Sequence, residues 1–166
     1  MLLPFHDGLM QIGKFDPECV ELADKHYSRQ KVGTNQFMPP GRTIVLRNYE
    51  GTVVFGWLWQ DKRDDGQQGY NCSIFRNESS RLSSDVILEA ETYAFSVWGP
   101  NRVFTYIDPS KLRKQEHKYR HAKVPGKCFF AAGWKLRLKK NGKPHVSSNG
   151  LYLFVKPYRP DPLFRA

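Results

Sequence analysis

The chain lacks several features that would have fixed its class at once. No apolar stretch approaches the ~20 residues that cross a bilayer as a helix, and no secretory leader is legible, so a soluble, cytoplasmic protein that meets no membrane is expected. Cysteine is scarce: Cys19, Cys72 and Cys128 are an odd number, at spacings that suit neither a structural zinc site nor a disulfide framework. No internal repeat and no low-complexity segment is present, which argues against a repeat architecture. Acidic residues are missing from one half of the chain. Residues 1–100 hold 10 Lys and Arg against 13 Asp and Glu, whereas residues 101–166 hold 16 against 3, so the halves carry −3 and +13. Charge that serves solubility alone is mixed in sign. The C-terminal half is therefore read as facing an anionic partner, nucleic acid first, then an acidic protein or a phosphorylated cofactor.

What is present suits one α/β domain spanning residues 1–166, with an irregular Pro-rich tail over residues 157–166. Eleven Phe, eight Tyr and four Trp in 166 residues are enough to fill a core. One short strand is expected within Met1–Lys14. Asp16-Pro17 starts a helix, Asp as cap and Pro at the first position, that runs to about Arg29 and puts His26 on the stripe of Cys19, Leu22 and Ala23. Lys31–Gly41 reads as a loop. Arg42–Arg47, Val53–Gln60 and Tyr70–Phe75 are strand-like and form an antiparallel meander, with polar connections at Asn48–Gly51 and Asp61–Gly69. A serine-capped helix follows from about Ser83, with Val86, Ile87, Ala90, Ala94, Val97 and Trp98 at helical spacing, and Gly99-Pro100 ends it. The β-branched and aromatic run Val103–Ile107 comes next, which makes a strand-helix-strand crossover and a parallel pair. It stops at Asp108-Pro109, a pair that favours a turn. A basic stretch leads to Pro125-Gly126 and a short helix, Lys127–Gly133; Trp134–Leu138 and Leu151–Val155 are two further strands.

Strand, helix, three strands, helix, strand, short helix ending in Ala-Gly-aromatic, two strands: this order resembles the GCN5-related N-acetyltransferase fold. In that family a Gly-rich turn after the fourth strand presents backbone N–H groups to the pyrophosphate of acyl-coenzyme A. The corresponding turn here, Arg76–Ser84, has no glycine. Arg76, Arg81, Ser83 and Ser84 remain as anion ligands, but the usual fingerprint is missing, and acyl-coenzyme A is expected to be a doubtful cofactor.

Lys25-His26-Tyr27-Ser28, Phe75-Arg76-Asn77, Tyr106-Ile107-Asp108-Pro109 and Gly126–Trp134, taken together over roughly residues 20–135, resemble the Mom family of phage DNA-modifying proteins. The resemblance implies an acetyltransferase-like transferase that modifies the exocyclic amine of adenine in phage DNA and so protects it from restriction. It also implies functional roles for His26, Tyr27, Arg76, Ser83 or Ser84, and Asp108. One position departs: the family's short helix often has a functional tyrosine where this chain has Phe129, leaving Tyr106, Tyr119 or Cys128 to take its part.

Independently of any family, modifying an exocyclic amine needs a base for the amine proton, and His26 and Asp108 are the right types. The same two side chains suit two ligands of an open iron site, with His117, His121 or Tyr27 as a third. Against both stands ordinary structure: a lone His on an apolar stripe is commonly a core residue, and Asp before Pro is turn chemistry. Lys111–Lys143 holds 12 Lys and Arg with one acidic residue, Glu116. Flexible cations with interleaved His117, Tyr119 and His121 suit phosphates and stacked bases, so Lys111, Arg113, Lys114, Lys118, Arg120, Lys123, Lys139 and Lys140 are the expected DNA contacts. Trp57 and Trp59 share a strand face, where packing is the stronger expectation. The expected protein is thus a DNA base-modifying transferase that draws on a small-molecule group donor. An acyl-coenzyme A-dependent N-acetyltransferase of a protein or small amine, and a non-catalytic DNA-binding protein, are the alternatives.

Overall fold

A computed structural model describes residues 8–13, 16–24, 38–110 and 126–159. Ten elements follow in order: β1 (Met10–Ile12), α1 (Pro17–Ala23), β2 (Arg42–Arg47), β3 (Val53–Trp59), β4 (Tyr70–Asn77), α2 (Ser83–Trp98), β5 (Val103–Ile107), α3 (Lys127–Ala131), β6 (Lys135–Leu136) and β7 (Tyr152–Lys156). The strands make one mixed sheet in the order β1-β2-β3-β4-β5-β7-β6. β1 to β4 are antiparallel neighbours, β4 and β5 are parallel across the α2 crossover, and β7 returns antiparallel between β5 and β6. The meander and the crossover stand where hydrophobic alternation and the helical stripe put them. Asn48 fixes the first hairpin: its carboxamide oxygen accepts from the N–H groups of Thr52 and Val53 at 2.9 Å, and its amide donates to the Thr52 hydroxyl.

Each face of the sheet carries its own core. On one, α2 and α3 cover Ile44, Leu46, Phe55, Trp57, Tyr70 and Phe154; on the other, α1 and Met38 cover Val45, Val54, Leu58 and Ile74. Strand alternation would send Ile74 to the same face as Tyr70 and Cys72. It does not go there, because the pairing slips between Gly56↔Ile74 and Trp57↔Cys72, leaving Ser73 as an extra residue that turns the rest of β4 over. Gly56 makes room for this: a Cβ there would stand 2.5 Å from the Met38 sulfur and 2.8 Å from Ile74. Trp57 and Trp59 belong to packing, as expected. Trp57 is buried, donates its indole N–H to the Ala90 carbonyl at 2.9 Å and stacks on Trp134, while Trp59 lies between Tyr70 and Trp98 with Arg42 over its ring.

Several local expectations change. The cap of α2 is Leu82, which makes no side-chain cap bond; Ser83 is already inside the helix. The strand expected at Trp134–Leu138 shortens to Lys135–Leu136 and continues only as bridges, Leu138↔Pro144 and Val146↔Tyr152, so the linker around Asn141-Gly142 is the arm of a hairpin. The part of the first helix expected beyond Asp24 lies outside the described residues. Of the irregular tail, Pro157, Tyr158 and Arg159 are described and belong to no element.

One polar pair is built into the α2 core. Glu91 follows Ile87 by one turn on the apolar stripe and is buried, with one carboxylate oxygen 2.9 Å from the Lys156 ammonium at the end of β7; that ammonium also donates to the Ala132 carbonyl at 3.0 Å. The other carboxylate oxygen faces the Trp134 indole N–H without closing a hydrogen bond of good geometry. Burial raises the Glu91 pKa, and the Lys156 hydrogen bond and charge hold it down. A carboxyl whose folded pKa is raised binds its proton more tightly in the native state. Its contribution to stability is therefore largest at low pH and falls as pH rises through the raised value. Lys156→Met should cost about 3 kcal/mol at neutral pH by leaving a buried carboxylate without its cation, and less in mild acid. Adding Glu91→Gln should recover most of that loss in urea unfolding.

Candidate active site

β4 and β5 are parallel neighbours for two residue pairs only, Tyr70↔Val103 and Asn71↔Phe104. Beyond these, β3 holds β4 as far as Asn77, and β7 holds β5 as far as Ile107. The two strands therefore part toward their C-terminal ends and leave a wedge in the middle of the sheet. In open α/β sheets ligands bind outside the carboxyl ends of strands where neighbours diverge.

Three local features make the wedge. At its apex, Gly69 has a φ of +104° and lies against the Arg102 carbonyl, which accepts the Tyr70 N–H at 2.9 Å. Further along, the Thr105 hydroxyl crosses from β5 and donates to the Cys72 carbonyl at 2.8 Å, so a side chain takes over where the ladder ends. Then the Ser73 bulge bends β4 away. On the α2 side the wedge is floored by Phe75, Phe129 and Ile107. Gly126, in the left-handed region at φ +80°, brings the start of α3 down on Ile107 and Phe154.

At the mouth, the glycine-free turn is closed by Asn77. Its amide donates to the Arg81 carbonyl at 2.9 Å and the Ser83 hydroxyl at 3.0 Å, and its oxygen accepts from the Ser79 N–H and hydroxyl. This network delivers the chain into α2, where the Asp85 N–H already bonds the Leu82 carbonyl at 3.1 Å but the N–H groups of Ser83 and Ser84 precede any acceptor within the helix. Arg76 leaves β4 beside Glu78 at 3.3 Å, and Arg81 pairs with Glu89 at 2.6 Å. Arg76, Arg81, Ser83 and Ser84 thus gather at one helix entrance, as their proximity in sequence implies.

On the α1 side, Tyr106 on β5 donates to an Asp65 carboxylate oxygen at 3.0 Å, and Arg63 grips the same carboxylate at 2.8–3.2 Å while lying over the Phe104 ring. Partial burial pushes Asp65 up, yet the Arg63 guanidinium, the Gln67 N–H and the Tyr106 hydroxyl together hold it below the usual carboxylate range. Burial first, and then Asp65, push the Tyr106 phenol up to about 12. Tyr106 is named by the sequence as one stand-in for the family tyrosine, but its Asp65 and Arg63 partners, the Gly69 apex and Thr105 are not marked there. A single polar residue inside the run Val103–Ile107 was the available signal for Thr105.

Asp108 stands at the end of β5, where its carboxylate accepts from the Ser110 N–H at 2.9 Å and the Ser110 hydroxyl at 2.6 Å, the turn chemistry of Asp before Pro. His26 and Tyr27 lie outside the described residues, as do His117, Tyr119 and His121 and the expected DNA contacts Lys111, Arg113, Lys114, Lys118, Arg120 and Lys123. Lys139 and Lys140 are exposed on the β6–β7 arm. Phe129 is buried against Trp134, Phe75 and Phe154, so the short helix turns a hydrocarbon ring to the wedge where a phenol was looked for. Beside it, the Cys128 thiol is raised by burial, and the Cys72 thiol of β4 is raised further for the same reason.

No family model matches the chain, and no curated protein matches it. Among solved structures it is similar to the aminoglycoside acetyltransferase AAC(6')-Ib in complex with coenzyme A and kanamycin. The TM-score is 0.56 over 90% of this chain and 94% of that one, at 14% sequence identity. The chain has the GCN5-related N-acetyltransferase fold; the resemblance to the Mom family has no counterpart in these comparisons. The expectation that acyl-coenzyme A is a doubtful cofactor is corrected. A protein of this fold is held in complex with coenzyme A, against the doubt drawn from the missing glycines. Of the iron expectation, His26, Tyr27, His117 and His121 lie outside the described residues, and among the described residues no group of three or more His, Cys, Asp or Glu could hold a metal ion. A helix start can meet a phosphate with its own N–H groups without glycine, and here Asn77 shapes that entrance. No helix among the described residues is long and apolar enough to cross a membrane.

The apex gives a direct test. Gly69→Ala adds a Cβ that overlaps the Arg102 carbonyl at a backbone angle L residues avoid, so it should lower stability by at least about 2 kcal/mol. Gly66→Ala, also at positive φ but with open space around its Cβ, should cost about 1 kcal/mol. Equal losses at the two positions in denaturant titrations would show that backbone angle, not the β4–β5 approach, sets the cost.

Proposed function

We propose that this protein transfers an acyl group from acyl-coenzyme A to an amine. The carrying observation is the wedge between β4 and β5 with the α2 entrance at its mouth, in an acetyltransferase fold. The β5-facing backbone groups of β4 beyond Asn71, which have no ladder partner on that side, suit the amide-bearing arm of the donor. The first-turn N–H groups of Ser83 and Ser84 suit its pyrophosphate. Arg76 and Arg81 reach the phosphates by exchanging Glu78 and Glu89 for them.

The donor supplies a thioester. In the transfer the amine nitrogen bonds to the acyl carbon, the carbon–sulfur bond breaks, one proton leaves the nitrogen and one ends on the departing sulfur. We assign proton removal to His26, with Tyr27 beside it in sequence, and to Asp108 at the end of β5. Tyr106 keeps its proton at neutral pH and acts as a donor toward Asp65, not as a base. With Phe129 unable to give a proton, the Cys128 thiol, kept protonated by burial, is the donor that α3 offers to the sulfur.

The charge segregation supports a second reading for the acceptor, the exocyclic amine of adenine in DNA, phage DNA protected from restriction being the case the Mom resemblance implies. In this reading Lys139, Lys140 and the basic residues between Lys111 and Lys123 would bear on the phosphates. Calorimetry should show acetyl-coenzyme A binding in the micromolar range, weakened about tenfold or more by Ser83→Asp, which sets a carboxylate at the helix entrance. Mass spectrometry of polyamines, peptides and nucleosides incubated with protein and acetyl-coenzyme A then identifies the acceptor. DNA binding without any acetyl-coenzyme A binding at millimolar concentration would replace this reading with a binding protein.

A further inference from the structure

At the other end of β5 a cavity of about 370 Å³ opens between α2, β6 and the chain leaving β7. That volume is within the range of small-molecule sites. Its floor is the Glu91–Lys156 pair. Lys156 has three N–H donors, of which the contacts to Glu91 and the Ala132 carbonyl use two. Lys135 and Arg159 add two more cations to its lining, so the cavity is net positive even with Glu91 ionised. The remaining wall is mostly apolar, with Asn101 adding a polar side chain: Val103 at the start of β5, Pro157, and Phe95 of α2 with the Tyr158 ring set edge-on to it at 6.3 Å.

We propose that this cavity binds a small anion with a flat apolar body, an aromatic phosphate or carboxylate, as a site separate from the acyl-donor wedge. The anionic group meets Lys135, Arg159 and the third Lys156 donor, while the ring lies along Phe95 and Tyr158. The two sites share supports without overlapping. Val103 lines the cavity and Ile107 borders the wedge, ~13 Å apart along the strand, and Ser83 and Glu91 are ~12 Å apart along α2. An occupant here would therefore press on the helix and strand that shape the acyl-donor site, which makes it a candidate for regulating transfer.

The test uses para-fluorophenyl phosphate followed by fluorine NMR on the full chain, with para-fluorobenzyl alcohol as the uncharged control. Saturable binding of the phosphate and none of the alcohol is expected. Lys135→Glu together with Arg159→Glu, both at exposed positions, should weaken binding at least tenfold at an unchanged thermal midpoint. Saturating coenzyme A should leave the signal in place. Absence of binding at millimolar phosphate, equal binding of the alcohol, undiminished binding to the double variant, or displacement by coenzyme A would each overturn the proposal.

Discussion

The arrangement depends on one close approach, that of the Gly69 backbone to the carbonyl of Arg102. There β4 and β5 come near enough to exchange backbone hydrogen bonds, and two residues later they no longer do. Because β3 holds β4 as far as Asn77 and β7 holds β5 as far as Ile107, the parting cannot spread through the sheet. It stays a wedge of fixed position, with Thr105 bridging its narrow end and the Ser73 bulge turning β4 out of the plane. β4 runs from the wedge through Arg76 to the turn of Arg81, Ser83 and Ser84, and Asp108 follows the end of β5.

Much of this was legible in residue order. Val86, Ile87, Ala90 and Ala94 announce a helix with one buried stripe, and the alternation through Arg42–Arg47 and Val53–Trp59 announces a hairpin, because burial on one face imposes the period. Breaks in a period are harder to see. A bulge consumes one residue, and nothing in Tyr70–Asn77 marks Ser73 as the extra one. The parting of β4 from β5 is a fact about two segments some thirty residues apart. Glu91 could have been found, since a carboxylate on an apolar stripe calls for a cation. That the cation is Lys156 is decided by the strand order alone.

The site residues divide along a physical line. That Arg76, Arg81, Ser83 and Ser84 meet at a helix start was legible because one turn delivers them all there, whatever they bind. Asp108 was legible as a strand-end carboxylate, and both readings of it, base and turn former, rest on the same place in the fold. Missing glycines are a weak argument against coenzyme A for a reason of chemistry: a small-residue turn is one way to bring helix N–H groups to a phosphate, and a carboxamide that staples the turn is another.

The ring packing of the core has an optical side. Trp57 of β3 and Trp134 after α3 lie nearly parallel, 16° between planes and 6.2 Å between centroids, and Phe129 is set against Trp134 at 4.8 Å. Two indoles so placed share their excited states and give a near-ultraviolet circular dichroism signal that vanishes once their relative orientation is lost. Trp134 also faces the Glu91 carboxylate, so the same chromophore pair lies next to the buried Glu91–Lys156 ion pair. The protein thus carries its own spectroscopic gauge of how α3 sits on the sheet, with no label attached.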